Sequence, residues 1–93
     1  MSISNYEEIT LTELRSLIIT QVNLSPGIKT TELIPNVYKE AYQLDLSVNS
    51  AELLKEIENM IKEKELVELN YVLPNMVYRE KQMLFPKGTK IIS

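Results

Sequence analysis

Apolar and polar residues alternate along this chain in a way that predicts three amphipathic helices followed by a β-hairpin. Helix 1 is predicted from Thr10 to about Asn23, where an apolar stripe at helical spacing is formed by Leu14, Leu17, Ile18 and Val22. Thr10 and Glu13 form a capping-box pattern, and Ile9 would staple the helix start against Leu14. Ser25-Pro26-Gly27 should end the helix.

Helix 2 is predicted from about Thr31 to Gln43, with Thr30 or Thr31 as its cap and a buried side of Leu33, Ile34, Val37, Tyr38, Ala41 and Tyr42. Pro35 lies about one turn in, where its ring and missing N–H disfavour a regular helix. Either the helix begins near Ile34, or its first turn is bent. The preceding Ile28-Lys29-Thr30 is predicted to be extended and to pair with the hairpin.

Helix 3 is predicted from Asn49 to Glu65, with Asn49 as its cap and an apolar face of Leu53, Leu54, Ile57, Met60 and Ile61. Its solvent side should carry Ser50, Glu52, Lys55, Glu56, Glu58, Asn59, Lys62 and Glu63. Leu44 and Leu46, in the connector before it, are expected to reach the core.

A hairpin is predicted from Leu66 to Phe85, turning at Pro74-Asn75 between two runs rich in Val, Leu and Tyr. A turn at that place pairs Glu68 with Lys81, Asn70 with Arg79, Val72 with Val77 and Tyr71 with Tyr78. An opposite-charge pair and an aromatic pair in the same register favour it, since each adds about 0.2–1 kcal/mol.

The 93 residues predict one domain, with a loose lead-in over 1–9, the hairpin over 66–85 and a tail over 86–93. Because no apolar run approaches the length of a membrane helix, no membrane partner is expected. The start MSISNYEE lacks the basic and apolar parts of a signal peptide, and cysteine is absent. We therefore expect an intracellular, cytoplasmic protein.

Several enzyme classes lack the residues that they need. The chain has no histidine or cysteine, so neither the usual general base nor an ordinary zinc site can be formed. With two glycines, Gly27 and Gly88, it has no phosphate-cradling loop. We expect no enzyme activity, no catalytic residues, no metal and no cofactor.

Charge is divided unevenly along the chain. Residues 1–75 carry 6 basic and 12 acidic side chains, whereas residues 76–93 carry Arg79, Lys81, Lys87 and Lys90 against Glu80 alone. This basic end could bind phosphates, or it could keep an edge hairpin from pairing with other chains.

The order helix, short strand, helix, helix, strand, turn, strand resembles the winged-helix family of helix-turn-helix domains. The resemblance covers about Thr10 to Phe85 and includes two phrases, GIKTTEL from Gly27 and IENMIKEKELVEL from Ile57. It implies an α+β fold: a three-helix winged helix-turn-helix with a C-terminal β-hairpin wing. In the family, the third helix typically enters the DNA major groove and the wing contacts the backbone, while many relatives bind proteins or dimerise.

Two functions follow from this resemblance. The first is a DNA-binding transcription regulator that contacts double-stranded DNA through Arg79, Lys81, Lys87 and Lys90, with Asn59 and Lys55 on helix 3. The four glutamates on the exposed side of helix 3 oppose it, because phosphates repel carboxylates.

The alternative function is a protein–protein module within a transcription or replication assembly. A basic partner surface would then bind Glu52, Glu56, Asn59 and Glu63. Homodimerisation through helix 1 or the N-terminal segment is a third hypothesis, because Ile3, Tyr6 and Ile9 could be spare apolar surface.

Overall fold

The computed structural model describes residues 7–70 and 82–90, which form three α-helices, a three-stranded antiparallel sheet and a two-stranded parallel ladder. The elements in chain order are β1 (Glu7–Glu8), α1 (Leu11–Leu24), β2 (Ile28–Lys29), α2 (Thr30–Gln43), β3 (Leu46–Ser47), α3 (Ser50–Lys62), β4 (Leu66–Asn70) and β5 (Gln82–Pro86). The predicted α+β class is confirmed. The order β2-β5-β4 in the larger sheet is compatible with a winged-helix topology.

Helix α1 begins with the predicted capping box. The Thr10 hydroxyl accepts from the Glu13 N–H at 3.1 Å, and the Thr10 N–H donates to Glu13 Oε1 at 2.9 Å. The hydrogen bond that the Thr10 N–H donates to the Glu13 carboxylate, and after it the interaction of that carboxylate with the Thr10 hydroxyl, hold the pKa of Glu13 below its ordinary value. Ile9 and Leu14 are both buried in the core, as the staple predicted.

Helix α2 starts at Thr30 and contains Pro35 within it. A start near Ile34 was therefore wrong. The expected threonine cap was also wrong: Lys29 is the N-cap residue and no side chain caps the helix. The reason is that the Thr30 hydroxyl is buried and donates instead to Gln82 Oε1 at 2.7 Å.

The sheet confirms that Ile28–Lys29 pairs with the hairpin, but its register differs from the predicted one. Glu68 lies opposite Leu84 and Asn70 opposite Gln82, so the predicted pairs with Lys81 and Arg79 were wrong. The observed register differs by an odd number of residues, which exchanges the two faces of a strand. It places Leu66 and Leu84 together in the core. The predicted turn and the Tyr71–Tyr78 and Val72–Val77 pairs lie outside the described residues.

Gly27 joins α1 to β2 in a conformation that favours glycine. Its φ is +87°, and its N–H donates to the Leu84 carbonyl at 2.8 Å. A Cβ placed there would lie 3.4 Å from the ring of Phe85. The link between the first helix and the sheet is thus held by backbone geometry.

The core lies between the three helices and the larger sheet. Its buried members are Ile9, Leu14, Ile18, Val22, Ile28, Leu33, Val37, Leu53, Ile57, Met60, Leu66 and Leu84. Met60 fills the core as expected. Tyr42 and Leu44 were expected to be buried and are exposed, because α2 ends there and the chain reverses at Asp45, whose φ is +57°.

Residues 7–9 are not the loose lead-in that the sequence predicted. β1 pairs in parallel with β3, so that Glu7 lies opposite Leu46 and Glu8 opposite Ser47. The pairing seats Ile9 in the core and places β1 beside the start of α3. Within the described ranges, none of the helices has the length and apolar character needed to cross a membrane.

Candidate interaction surface on helix α3

Helix α3 carries most of the residues that the sequence singled out. The Asn49 side chain caps it by accepting from the N–H groups of Ala51 at 2.8 Å and Glu52 at 3.2 Å. Leu53, Ile57 and Met60 turn one side of the helix into the core. Because this side packs in the core, the opposite side of α3 faces solvent.

Glu56 is the exception on that side, because only 3% of it is exposed. Its carboxylate accepts from Nε of Arg15 on α1. The same guanidinium also lies 2.9 Å from Glu63 Oε1 through Nη1. The hydrogen bond to Glu63 and, to a smaller extent, the one to Glu56 raise the pKa of Arg15 above its ordinary value.

Glu56 was wrongly included among the predicted partner-binding residues, because it belongs to an ion-pair cluster with Arg15 and Glu63. Glu56 was expected on the solvent surface, but it joins α3 to α1. A buried carboxylate needs such a partner, because desolvation without one is costly. Glu63 is exposed and shares the guanidinium. The charge of Arg15 is thus engaged within the protein.

A groove of about 380 Å³ lies between the start of α1 and helix α3. It is lined by Glu8, Ile9, Leu11, Glu52, Lys55, Glu56 and Asn59. The fold thus brings together residues from both functional hypotheses. Lys55 was predicted to bind nucleic acid, Glu52 to bind a protein partner, and Asn59 was named in both hypotheses. We refer to this site as the α3 groove.

Glu8 and Leu11 belong to the α3 groove, and the sequence analysis missed both. Leu11 is 59% exposed although it is apolar. A signal existed, since Leu11 follows the cap of helix 1 but lies off its buried stripe of Leu14, Ile18 and Val22. Glu8 was passed over because the lead-in carried no helical or strand periodicity.

The predicted phosphate-binding residues are not part of this groove. Arg79 and Lys81 lie outside the described residues. Lys87 and Lys90 are exposed after β5, and Lys87 Nζ lies 3.3 Å from Glu65 Oε1. Lys87 lines a different cleft, together with Ile19 and Leu66. Lys87 therefore lines a different cleft from Lys55 and Asn59.

A buried polar chain fastens the base of the hairpin to α2. Thr30 Oγ1 donates to Gln82 Oε1, and Gln82 Nε2 donates to Glu68 Oε2, both at 2.7 Å. Gln82 is 8% exposed, and it lines a cleft of about 190 Å³ with Glu68 and Lys62. No local pattern in the sequence signals these contacts, because Thr30, Glu68 and Gln82 lie far apart along the chain.

Residues 7–70 and 82–90 contain no group of three acidic side chains close enough together to hold a metal ion. No protein-family model, curated protein or solved structure matches this chain.

Proposed function

We propose that this chain is a small winged-helix-like binding module that captures a segment of another protein in the α3 groove. The observation that carries the proposal is the composition of that groove, in which the exposed side chain of Leu11 lies among the carboxylates of Glu8 and Glu52. Protein interaction sites commonly combine an apolar centre with a polar rim.

The charge of the groove defines the kind of partner. Glu8 and Glu52 are exposed and acidic, and Lys55 is the basic residue among the groove's lining. Arg15 contributes little positive potential, because it is bonded to Glu56 and Glu63. A segment carrying lysine or arginine beside an aliphatic or aromatic side chain complements this surface.

The same charges make α3 a poor surface for reading DNA. Its exposed residues include Glu52, Glu58 and Glu63, and no arginine lies on the helix to bind guanine. For this reason the protein-binding function is preferred here to DNA recognition by the third helix. A role within a transcription or replication assembly remains part of the proposal.

The test is capture of partners by the tagged full chain and by matched variants. Glu52→Lys and Leu11→Ser should each remove the captured partner. Glu32→Lys is the control for charge, since Glu32 is also an exposed acid in the first turn of a helix. Leu24→Ser is the control for the apolar change, because Leu24 is 72% exposed at the far end of α1.

Partner capture that is unchanged by Glu52→Lys and by Leu11→Ser would contradict the proposal. Loss of capture in all four variants would also count against it, because the effect would then not be specific to the groove. Circular dichroism of each variant shows whether it remains folded.

A second function, DNA binding through the basic C-terminal end, is favoured by a separate observation. Residues 76–93 carry a net charge of +3, and Lys87 and Lys90 are exposed. In this proposal the protein is a transcription regulator whose wing and tail contact phosphates. Association would depend strongly on salt, because bound cations release counterions from DNA.

A mobility-shift titration with random duplex DNA at several salt concentrations tests this second function. Arg79→Ala combined with Lys81→Ala should weaken binding and reduce the salt slope by about one for each cation removed. Lys29→Ala combined with Lys39→Ala is the matched control, because both lysines are exposed outside the basic end. An unchanged slope in the first double variant would refute DNA binding through the wing.

A further inference from the structure

Strand β1 has a backbone edge that faces away from its partner. The Glu7 N–H donates to the Asp45 carbonyl at 3.2 Å, and the Ile9 N–H donates to the Ser47 carbonyl at 3.0 Å. In a parallel pair, alternate residues direct their N–H and C=O groups to the same neighbour. The N–H and C=O of Glu8 therefore point to the opposite edge. No hydrogen bond joins Glu8 to any of the described residues on that edge.

This edge belongs to the same residues that line the α3 groove. Glu8 contributes to both, and Ile9 and Leu11 line the groove beside it. An unpaired strand edge is a ready template for another strand, and peptide recognition by added strands uses such edges. The backbone of Glu8 offers hydrogen bonds, while Leu11 and Glu52 offer side-chain contacts.

We propose that the α3 groove receives its partner segment in an extended conformation, as a strand added to β1, with alternate basic side chains directed toward Glu8 and Glu52 and their aliphatic stems packed on Leu11. This inference rests on the proposed protein-binding function and specifies the conformation and chemistry of the partner. Main-chain hydrogen bonds supply affinity in this mode, and alternate side chains supply specificity.

Charge distinguishes this occupant from a second copy of the same chain. Pairing two β1 strands would place Glu7 and Glu8 of one copy against the same acids of the other. Like charges across paired strands are destabilising, whereas opposite charges stabilise the pair. A basic extended segment therefore fits the edge better than another β1.

The experiment uses a blocked heptapeptide probe, acetyl-Lys-Val-Lys-Leu-Lys-Val-Lys-amide, and isothermal titration with the full chain. Two further probes carry N-methyl groups at either the odd or the even positions. An added strand directs one set of N–H groups to β1 and the other to solvent. We expect one methylated probe to bind at least about tenfold more weakly and the other to bind like the parent peptide.

A variant of the chain tests the same edge from the protein side. Glu8→Pro removes the open-edge N–H, which the β1–β3 pair does not use, and should weaken the parent probe to the same extent. Glu8→Gln retains that N–H and isolates the contribution of charge. A probe with Glu in place of Lys should not bind.

Each alternative outcome has a defined meaning. Equal affinity for the parent and both methylated probes overturns strand addition; if Glu52→Lys still removes binding, the proposed function stands. Failure of every probe to bind overturns the inference about the partner's chemistry. If Glu52→Lys and Leu11→Ser alter neither probe binding nor partner capture, the proposed function fails as well. Concentration-dependent dimerisation that Glu8→Pro abolishes would assign the edge to a second copy and overturn the proposal.

Discussion

Replacing Thr30 with valine should destabilise the protein because it breaks the buried polar chain from Thr30 through Gln82 to Glu68. Thr30 is 1% exposed and its hydroxyl donates to Gln82 Oε1 at 2.7 Å. Valine has nearly the same shape but no donor, so Gln82 Oε1 would lose that partner. Gln82 is itself only 8% exposed.

The expected cost is that of leaving a buried acceptor unsatisfied, about 1–3 kcal/mol. Domains gain about 0.05–0.15 kcal/mol of stability per residue, so this chain of 93 residues should have about 5–14 kcal/mol in total. The loss is therefore a measurable fraction. With a urea slope of about 1–2 kcal/mol per M, a 2 kcal/mol loss lowers the unfolding midpoint by about 1–2 M.

Urea unfolding followed by circular dichroism measures the change, and Thr31→Val is the matched control. Thr31 is exposed at the next position, so its replacement should alter stability by less than about 0.5 kcal/mol. Equal midpoints for Thr30→Val and Thr31→Val would refute a stabilising hydrogen bond between Thr30 and Gln82.

A double-mutant cycle separates the hydrogen bond from other effects of the two side chains. Thr30→Val combined with Gln82→Met should cost less than the sum of the single changes, because neither partner is then left alone. Contacting residues show coupling of about 0.5–3 kcal/mol. Additive costs would show that the two side chains act independently.

Three other predictions concern the turn at Gly27, the helix cap and the ion-pair cluster. Gly27→Ala and Gly88→Ala should each cost about 1–2 kcal/mol in thermal unfolding, because both φ angles are positive; an unchanged thermal midpoint would contradict the positive φ. The Glu13 carboxyl should titrate below 4.5 by NMR, and because that pKa is lowered, its contribution to stability is complete above 4.5 and is lost as pH falls through the lowered value; an ordinary midpoint would contradict the capping box. Arg15→Met should lower the thermal midpoint more than Glu63→Gln, because it leaves a buried carboxylate without its partner; the reverse order would refute the cluster.

The helices could be predicted from the sequence because their signals are local. Thr10 with Glu13 and Asn49 with Glu52 mark helix starts by side-chain chemistry that depends on spacing alone. Apolar residues at helical spacing likewise identified the faces that α1 and α3 bury. The pairing of Ile28 with the hairpin followed from the order of elements.

The register of β4 and β5 could not be predicted in this way, because it depends on contacts distant in sequence. Pro74-Asn75 is a strong turn signal, and the pairs that it implied were chemically attractive. The observed register is instead accompanied by burial of Leu66 with Leu84 and by the bond from Thr30 to Gln82. Neither contact is visible in a local window of sequence.

The same limit applies to the candidate site. Helical periodicity placed Glu56 among exposed acids, yet Arg15, on another helix, makes its burial possible. β1 joins the site through parallel pairing with β3, which requires a crossover and leaves no local pattern. The sequence therefore identified α3 as the candidate surface but not the groove beside it.

The most direct test is an NMR titration of the isotope-labelled full chain with the basic heptapeptide probe. We expect amide shifts to concentrate at Glu8, Leu11 and Lys55, in the α3 groove, and Glu52→Lys to abolish them. Shifts confined to Lys87 and Lys90, or no shifts at all, would contradict this expectation.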